Sequence, residues 1–307
     1  MSIVNAALVK QLRDKTGAGM MDCKKALVET NGNIEEAIDW LRKKGISGAD
    51  KKSSRIAADG LIAISSSDNA VAMVEINSET DFVSRNPDFQ SFVRDISKIS
   101  LENGSEIDLL KGASYKNGKS VSESLTELIA KIGENIVLRR TTSIVSKDLV
   151  FSSYIHAQVS DGMGKIGVII SIESDGELEK IRNFGKQICM HIAAAKPEAI
   201  SSHNVDKKII ERERNILIEQ AKNSGKPENI IEKMVEGRIK KFFSEITLLD
   251  QTWVMDGESK VSKIIEAKKK ELNCNINVKE FKLFVLGEGI ELEKKDFAEE
   301  VAEQVNS

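Results

Sequence analysis

Three prolines, three cysteines and few aromatic residues are the scarcities that bound this chain of 307 residues. Cys23, Cys189 and Cys274 are scattered and odd in number, which argues against a disulfide framework or a closed zinc site. They read as reduced cytosolic thiols. Aromatics make up 5% and charged residues 30%, a balance suited to helices with solvated faces. A net charge of -3 lacks the basic excess that binding to a phosphate backbone requires, so no direct nucleic-acid partner is expected. No apolar run approaches membrane-spanning length, and Met1-Ser2-Ile3-Val4-Asn5 has neither the basic nor the long apolar region of a signal peptide. The expectation is a cytoplasmic protein with no membrane partner. Pro87, Pro197 and Pro227 each fall where the residue pattern changes.

What is present reads as an α+β chain. From Asn5 to Lys44 the apolar spacing predicts three short helices, separated by Thr16-Gly17-Ala18-Gly19 and Asn31-Gly32-Asn33. Of Met20 and Met21, one is expected in the core and the other exposed as an adaptable contact. Gly45 to Arg55 reads as a linker or a weak helix start. A faint repeat follows. Gly60 to Ser65, a turn, Val71 to Ile76 and a helix from Pro87 are matched by Tyr154 to Val159, an Asp-Gly-Met-Gly turn, Ile166 to Ile172 and a helix from Glu177 to Ala195. Two copies of hairpin plus helix predict a two-part core, each sheet covered by helices. Between the copies lie a helix from Ser122 to Gly133 and a strand at Ile136 to Arg140. Two long amphipathic arms turn at Gly225-Lys226-Pro227, and Phe281-Lys282-Leu283-Phe284-Val285 can return to the second sheet. The domain expectation is 1–55 bundle and linker, 56–140 and 141–286 as the two core parts, a helical insertion at about 200–246, and a helical module at 287–307.

The stretch Asn77 to Pro87 stands out between an apolar strand and a helix that Asn86 can cap and Pro87 can open. It presents Thr80-Asp81-Phe82-Val83 from two rigid supports. The plain alternative is that Phe82 folds back into the core and Asp81 merely shapes the turn.

No motif for chemistry survives. Gly17-Ala18-Gly19 follows a helix and ends in Met-Met, whereas a phosphate loop follows a strand and ends in Gly-Lys-Ser/Thr. Asp161-Gly162-Met163-Gly164-Lys165 lies between two strands and reads as a plain hairpin turn. Cys189 and His191 point apart along their helix, and His203 completes no ligand set, so no metal or other cofactor is expected.

Glu79-Thr80-Asp81-Phe82-Val83, with Arg85-Asn86 after it, resembles the central signature of the elongation factor Ts family, the guanine-nucleotide exchange factors of the translation GTPase elongation factor Tu. Leu8 to Arg13 with Thr16 to Leu27, Ser153-Tyr154-Ile155-His156, Ser224 to Pro227 with Glu232 to Arg238, and the segment from Gly287 resemble further family segments in the family's order. The resemblance implies a ubiquitin-associated-like bundle, a two-part α+β core, a coiled-coil hairpin and a carboxy-terminal helix around Phe297, Val301 and Val305. It also implies elongation factor Tu as partner, with Thr80, Asp81, Phe82 and Val83 dislodging that partner's magnesium ion. Leu12, Met20, Met21, Lys24, His156, Met234 and Val235 become further contact candidates. Self-association through the core or the hairpin is a second partner option.

Two other classes compete: an enzyme acting on a small molecule, and a ubiquitin-binding adaptor built on the amino-terminal bundle. Turnover of a supplied metabolite would single out the first, and ubiquitin binding without GDP release the second. The adaptor reading leaves most of the chain unexplained.

Overall fold

The computed structural model describes residues 4–44, 52–222 and 228–291. Helices α1 (Ala6–Thr16), α2 (Met20–Glu29) and α3 (Ile34–Lys43) form the expected amino-terminal group. Asn5 and Asn33 cap two of them through their side chains, and Gly17 closes α1 at φ 63. Leu12, Cys23, Ala26, Leu27, Ala37 and Leu41 fill the space between the three.

Two antiparallel sheets make the core. Strands β1 (Asp59–Ser66), β2 (Ala70–Ser78), β3 (Ile136–Val145) and the short β5 (Met163–Gly164) form the first, in the order β3-β2-β1-β5. Strands β4 (Val150–His156), β6 (Ile166–Ser174) and β7 (Ile276–Val285) form the second, in the order β4-β6-β7. Helices α4 (Pro87–Asn103), α5 (Ile107–Gly112) and α6 (Val121–Ile132) cover the first sheet, with Phe89, Phe92 and Ile96 packed on Leu61, Val74 and Ile76. Helix α7 (Leu178–Ala195), with α10 (Val261–Leu272) nearby, covers the second.

The sheets pack face to face through Ile62, Met73, Phe151, Ile169 and Phe284. A central strand is therefore buried on both sides, which is why β2 reads as a near-continuous apolar run. Gly167 permits the close approach: a Cβ there would sit 2.5 Å from Met73 Sδ.

The repeat extends to detail. In each copy a third strand pairs antiparallel with the second, and the register shifts at matching places, Glu75/Ile76 and Ser171/Ile172. Phe281 to Val285 returns to the second sheet as part of β7.

Several boundaries differ from the expectation. Strand β4 ends at His156 rather than Val159, because Ala157 turns to φ 50. The Asp161 to Gly164 segment is more than a hairpin turn: Met163 and Gly164 pair with Ala63 and Ile62 and add β5 to the first sheet. Strand β3 continues to Val145 and crosses the division placed at residue 140.

Residues 247–275, to which the sequence reading assigns no element, also hold structure. His191 Nδ1 accepts the Val254 N–H at 3.3 Å, Nε2 lies 2.9 Å from Gln251 Oε1, and the ring stacks on Trp253. Burial holds the His191 pKa below its usual value, against the opposing effect of the Gln251 hydrogen bond. This histidine pins the chain leaving the long helices onto α7.

Those long helices are α8 (Lys207–Lys222) and α9 (Glu228–Ile246), paired through Leu217, Ala221, Ile231, Val235 and Ile239. The turn at Gly225 to Pro227, residues 45–51 of the linker and the helix around Phe297, Val301 and Val305 lie outside the described residues.

Candidate functional site

The loop after β2 is anchored on both sides of one exposed ring. Ser78 Oγ donates to the Thr80 carbonyl at 3.0 Å as the strand ends. The Thr80 N–H and hydroxyl then donate to the two carboxylate oxygens of Glu134, at 3.0 and 2.7 Å. On the far side Val83 is buried at 5% exposure in the core under α4. A short 3₁₀ turn, Val83–Arg85, follows, in which Ser84 N–H and Oγ both donate to the Asp81 carbonyl, at 3.2 and 2.5 Å. Asn86 Oδ1 accepts the Asp88 and Phe89 N–H groups at 2.9 and 3.2 Å, and Pro87 opens α4.

Between these anchors the Phe82 side chain is 79% exposed. Its backbone lies in the ordinary helical region, so the exposure does not arise from strain. Leaving such a ring in water forgoes about 1.5–3 kcal/mol of burial, which a second molecule could recover. Asp81 is exposed beside it, and among the described residues no group pairs with its carboxylate. Val83 is a corrected expectation: it anchors the loop from below instead of offering itself to a partner, because its side chain is what holds the turn to the core.

The sequence reading did not identify the groups that brace the loop. Glu134 lies in the corner between α6 and β3, distant in sequence from Thr80. Beside it Asn135 N–H donates to Glu79 Oε1 at 2.5 Å, and Asn135 Nδ2 donates to the Arg55 carbonyl at 2.7 Å. Arg55 Nη1 reaches Glu79 at 3.5 Å, so the described end of the linker is held at the same corner. The polar Gly133-Glu134-Asn135 turn was the only local hint, and it names no partner.

A second cluster lies further back on β2, at Glu75. Burial alone would raise the Glu75 carboxyl, but the Gly287 N–H and the guanidinium groups of Arg139 and Arg140 hold it below the usual carboxylate range. The distances are 2.9 Å from Gly287 N, 2.8 Å from Arg139 Nη1 and 2.5 Å from Arg140 Nε. Arg140 also donates to the Val285 carbonyl at 2.9 Å. Glu75 thereby ties the first sheet to the end of β7.

The remaining candidates fall in three places. His156 is exposed at the same end of the core as the loop: Asp59, paired with Ser78, meets Lys165 Nζ at 3.1 Å, and Lys165 N–H donates to the His156 carbonyl at 3.1 Å. The Tyr154 hydroxyl lies 3.1 Å from His156 Nδ1. On the bundle, Met20 and Met21 are both exposed, at 60% and 75%, alongside exposed Lys24. The expectation that one methionine is core fails because Cys23, Ala26 and Leu27 already fill the inward face of α2. Leu12 is fully sealed in the bundle, and Val235 is sealed between α8 and α9, so neither lies on the surface. Met234 is half-buried on α9.

Among the described residues no group of three His, Cys, Asp or Glu side chains could hold a metal ion, and no helix is long and apolar enough to cross a membrane.

Comparison with known proteins converges on one group. The family model described as "Elongation factor TS" matches residues 79–288, beginning at the loop just described. The chain is 51% identical over 306 residues to "Elongation factor Ts" of Rhizobium etli, covering 99% of each chain. It is 51% identical over 302 residues to the protein of the same name from Gluconobacter oxydans, covering 98% of each. With that of Rhodospirillum rubrum the identity is 50% over 307 residues, covering 99% of each.

Proposed function

The chain belongs to the elongation factor Ts family, and from that membership we propose that it binds the GDP form of elongation factor Tu and speeds GDP release so that GTP can enter. Linkage sets the requirement for such a factor. It must bind the nucleotide-free GTPase more tightly than the loaded one, because equal affinity for both states shifts nothing.

Phe82 is the wedge and Asp81 the polar group that fixes its approach. The ring enters the partner beside its Mg²⁺ and phosphate site. Magnesium demands near-ideal octahedral geometry, so displacing the elements that support it loosens the ion and leaves the phosphates without charge compensation. The observation that carries this reading is an aromatic side chain 79% exposed on a loop anchored at Thr80 and Val83.

Burying one phenylalanine is worth about 1.5–3 kcal/mol, which is roughly one to two powers of ten in rate. Any larger acceleration draws on other contacts. Met20, Met21 and Lys24 supply one patch and His156 another, while Met234 belongs to the contact surface of the long helices. Phe82→Ala slows release by about ten- to a hundredfold without a change in thermal midpoint. A chase of fluorescent GDP from loaded elongation factor Tu measures it, and release at the wild-type rate refutes the wedge.

The factor carries out no bond chemistry of its own, acts in the cytoplasm and needs neither membrane nor direct nucleic-acid contact. Residues 1–55 comprise a ubiquitin-associated-like bundle and its linker. The core divides after Val145 rather than at residue 140, since β3 runs to that point. The second core part extends to residue 286 and carries the helical insertion at about 200–246, with the carboxy-terminal module at 287–307. The insertion is an antiparallel coiled coil, and exposed Ile209, Ile216 and Ile230 offer a surface for self-association.

A further inference from the structure

The two copies of the core repeat can be subtracted from one another at the corner that braces the loop. In both copies an acidic residue follows directly on the second strand and accepts the backbone N–H of the asparagine that precedes the third. Asn135 N–H donates to Glu79 Oε1 at 2.5 Å, and Asn275 N–H donates to Asp175 Oδ1 at 2.6 Å. This bond belongs to the shared architecture, since it closes two strand ends against each other in both sheets.

The neighbouring pair of positions is where the copies part. In the second copy they hold Gly176 and Cys274, packed so closely that a Cβ on Gly176 would sit 2.6 Å from the cysteine sulfur. In the first copy they hold Thr80 and Glu134, joined by two hydrogen bonds to one carboxylate. Only the first copy carries an exposed aromatic two residues further along.

From this difference we infer that Glu134 is a positioning residue for nucleotide exchange, fixing the heading of Phe82. The inference rests on the wedge reading of Phe82 above. Val83 and the Ser84 bonds to the Asp81 carbonyl hold the side of the loop that follows the ring, whereas on the preceding side the Ser78 hydroxyl gives a single neutral bond to the Thr80 carbonyl. The Glu134 fork grips the backbone and the side chain of Thr80 together, and charge-assisted bonds of this kind are about twice as strong as neutral ones. Glu134 itself projects from a stiff corner, where Gly133 at φ 91 ends α6 and β3 begins at Ile136. The ring is thus held between an apolar pin on one side and a charge-assisted clamp on the other. A side chain so mounted meets its target without first losing conformational freedom, which is the benefit of preorganisation.

The test uses the full chain and elongation factor Tu loaded with fluorescent GDP, with release followed over a range of exchange-factor concentrations. Glu134→Ala lowers the maximal release rate by about tenfold while the half-saturating concentration stays within about twofold. Glu134→Gln, which keeps one acceptor oxygen, falls between Glu134→Ala and the wild type. Glu134→Ala combined with Phe82→Ala is no slower than Phe82→Ala alone, because the clamp has nothing left to aim. Thr80→Val keeps the N–H and loses the hydroxyl. It gives a smaller loss of the same pattern, and serves if Glu134→Ala proves unfolded by circular dichroism.

An unchanged maximal rate in folded Glu134 or Thr80 variants overturns the assignment. So does a loss fully additive with that of Phe82→Ala, which would mean that Glu134 acts on something other than the ring. Wild-type release in Phe82→Ala is a separate outcome, and it brings down the wedge reading itself.

Discussion

In the first half of the core the chain uses residues 79–86 to pass from the second strand to the covering helix, whereas in the second half residues 175–177 suffice. Strand order, bulge position and covering helix agree between the halves. The fold therefore does not require the longer passage. Extra loop length costs little entropy, and a rigid scaffold can aim what the loop carries. The added residues hold Phe82, the most exposed large hydrophobic side chain in either copy among the described residues.

The halves also differ at the residue just before the bulge. In the first half it is Glu75, fully buried and gripped by Arg139, Arg140 and Gly287. In the second it is Ser171, whose buried hydroxyl has no partner among the described residues. One half is locked ionically to the end of β7, and the other relies on packing.

The largest expected effect concerns the bundle, which touches the core through α6, an element of the first half alone. Deleting residues 1–44 weakens complex formation with elongation factor Tu by about a hundredfold, as expected when the burial of exposed Met20 and Met21 is lost at about 1.5–3 kcal/mol each, and leaves the core folded. Titration calorimetry reads the affinity and circular dichroism the fold. Collapse of the truncated chain would show that the two halves do not stand without it.

Next in size is Glu75→Gln, which costs about 2 kcal/mol at neutral pH in a denaturant titration, the order expected when charged hydrogen bonds are lost. The Glu75 pKa is lower folded than unfolded, so its stabilisation is fully present above the ordinary carboxyl value of about 4.5 and is lost as pH falls through the folded value. The gap between wild type and Glu75→Gln therefore narrows on acidification below that value. A gap independent of pH would remove the ionic lock from the comparison.

The smallest effect sharpens the contrast most. Gly176→Ala forces a methyl group against Cys274 and costs about 1 kcal/mol of stability, while GDP release proceeds at the wild-type rate. Slower release by a folded Gly176→Ala variant would give the second connection a part in exchange and dissolve the distinction between the halves.

Much of this architecture was legible beforehand because its signals are local. A near-continuous apolar run over Val71 to Ile76 marked a strand, Asn86-Pro87 marked the start of α4, and helical spacing marked the arms of the long hairpin. The repeat could be read because each copy carries such signals in the same order. The Glu79 to Val83 stretch could be singled out for the same reason, since a strand end and a helix cap frame it.

Other features were not legible. The segment from Leu248 to Lys260 owes its order to burial against α7, with Trp253 in the core and Gln251 bonded to His191, and no local periodicity records this. Helical spacing at Val261, Ile264, Ile265 and Leu272 does mark α10, though the sequence reading passes over it. Strand β5 exists because Gly162 turns the chain onto the edge of β1.

The sequence by itself determined most of the elements, their order and the loop that joins β2 to α4, because caps, turns and periodicity act within a few residues. Only the tertiary structure decided which way Phe82 and Val83 face, that both Met20 and Met21 remain outside, and that Glu134 closes on Thr80. Those outcomes depend on groups far apart in the chain. Such groups meet only when the packing of whole sheets and helices brings their ends to one corner.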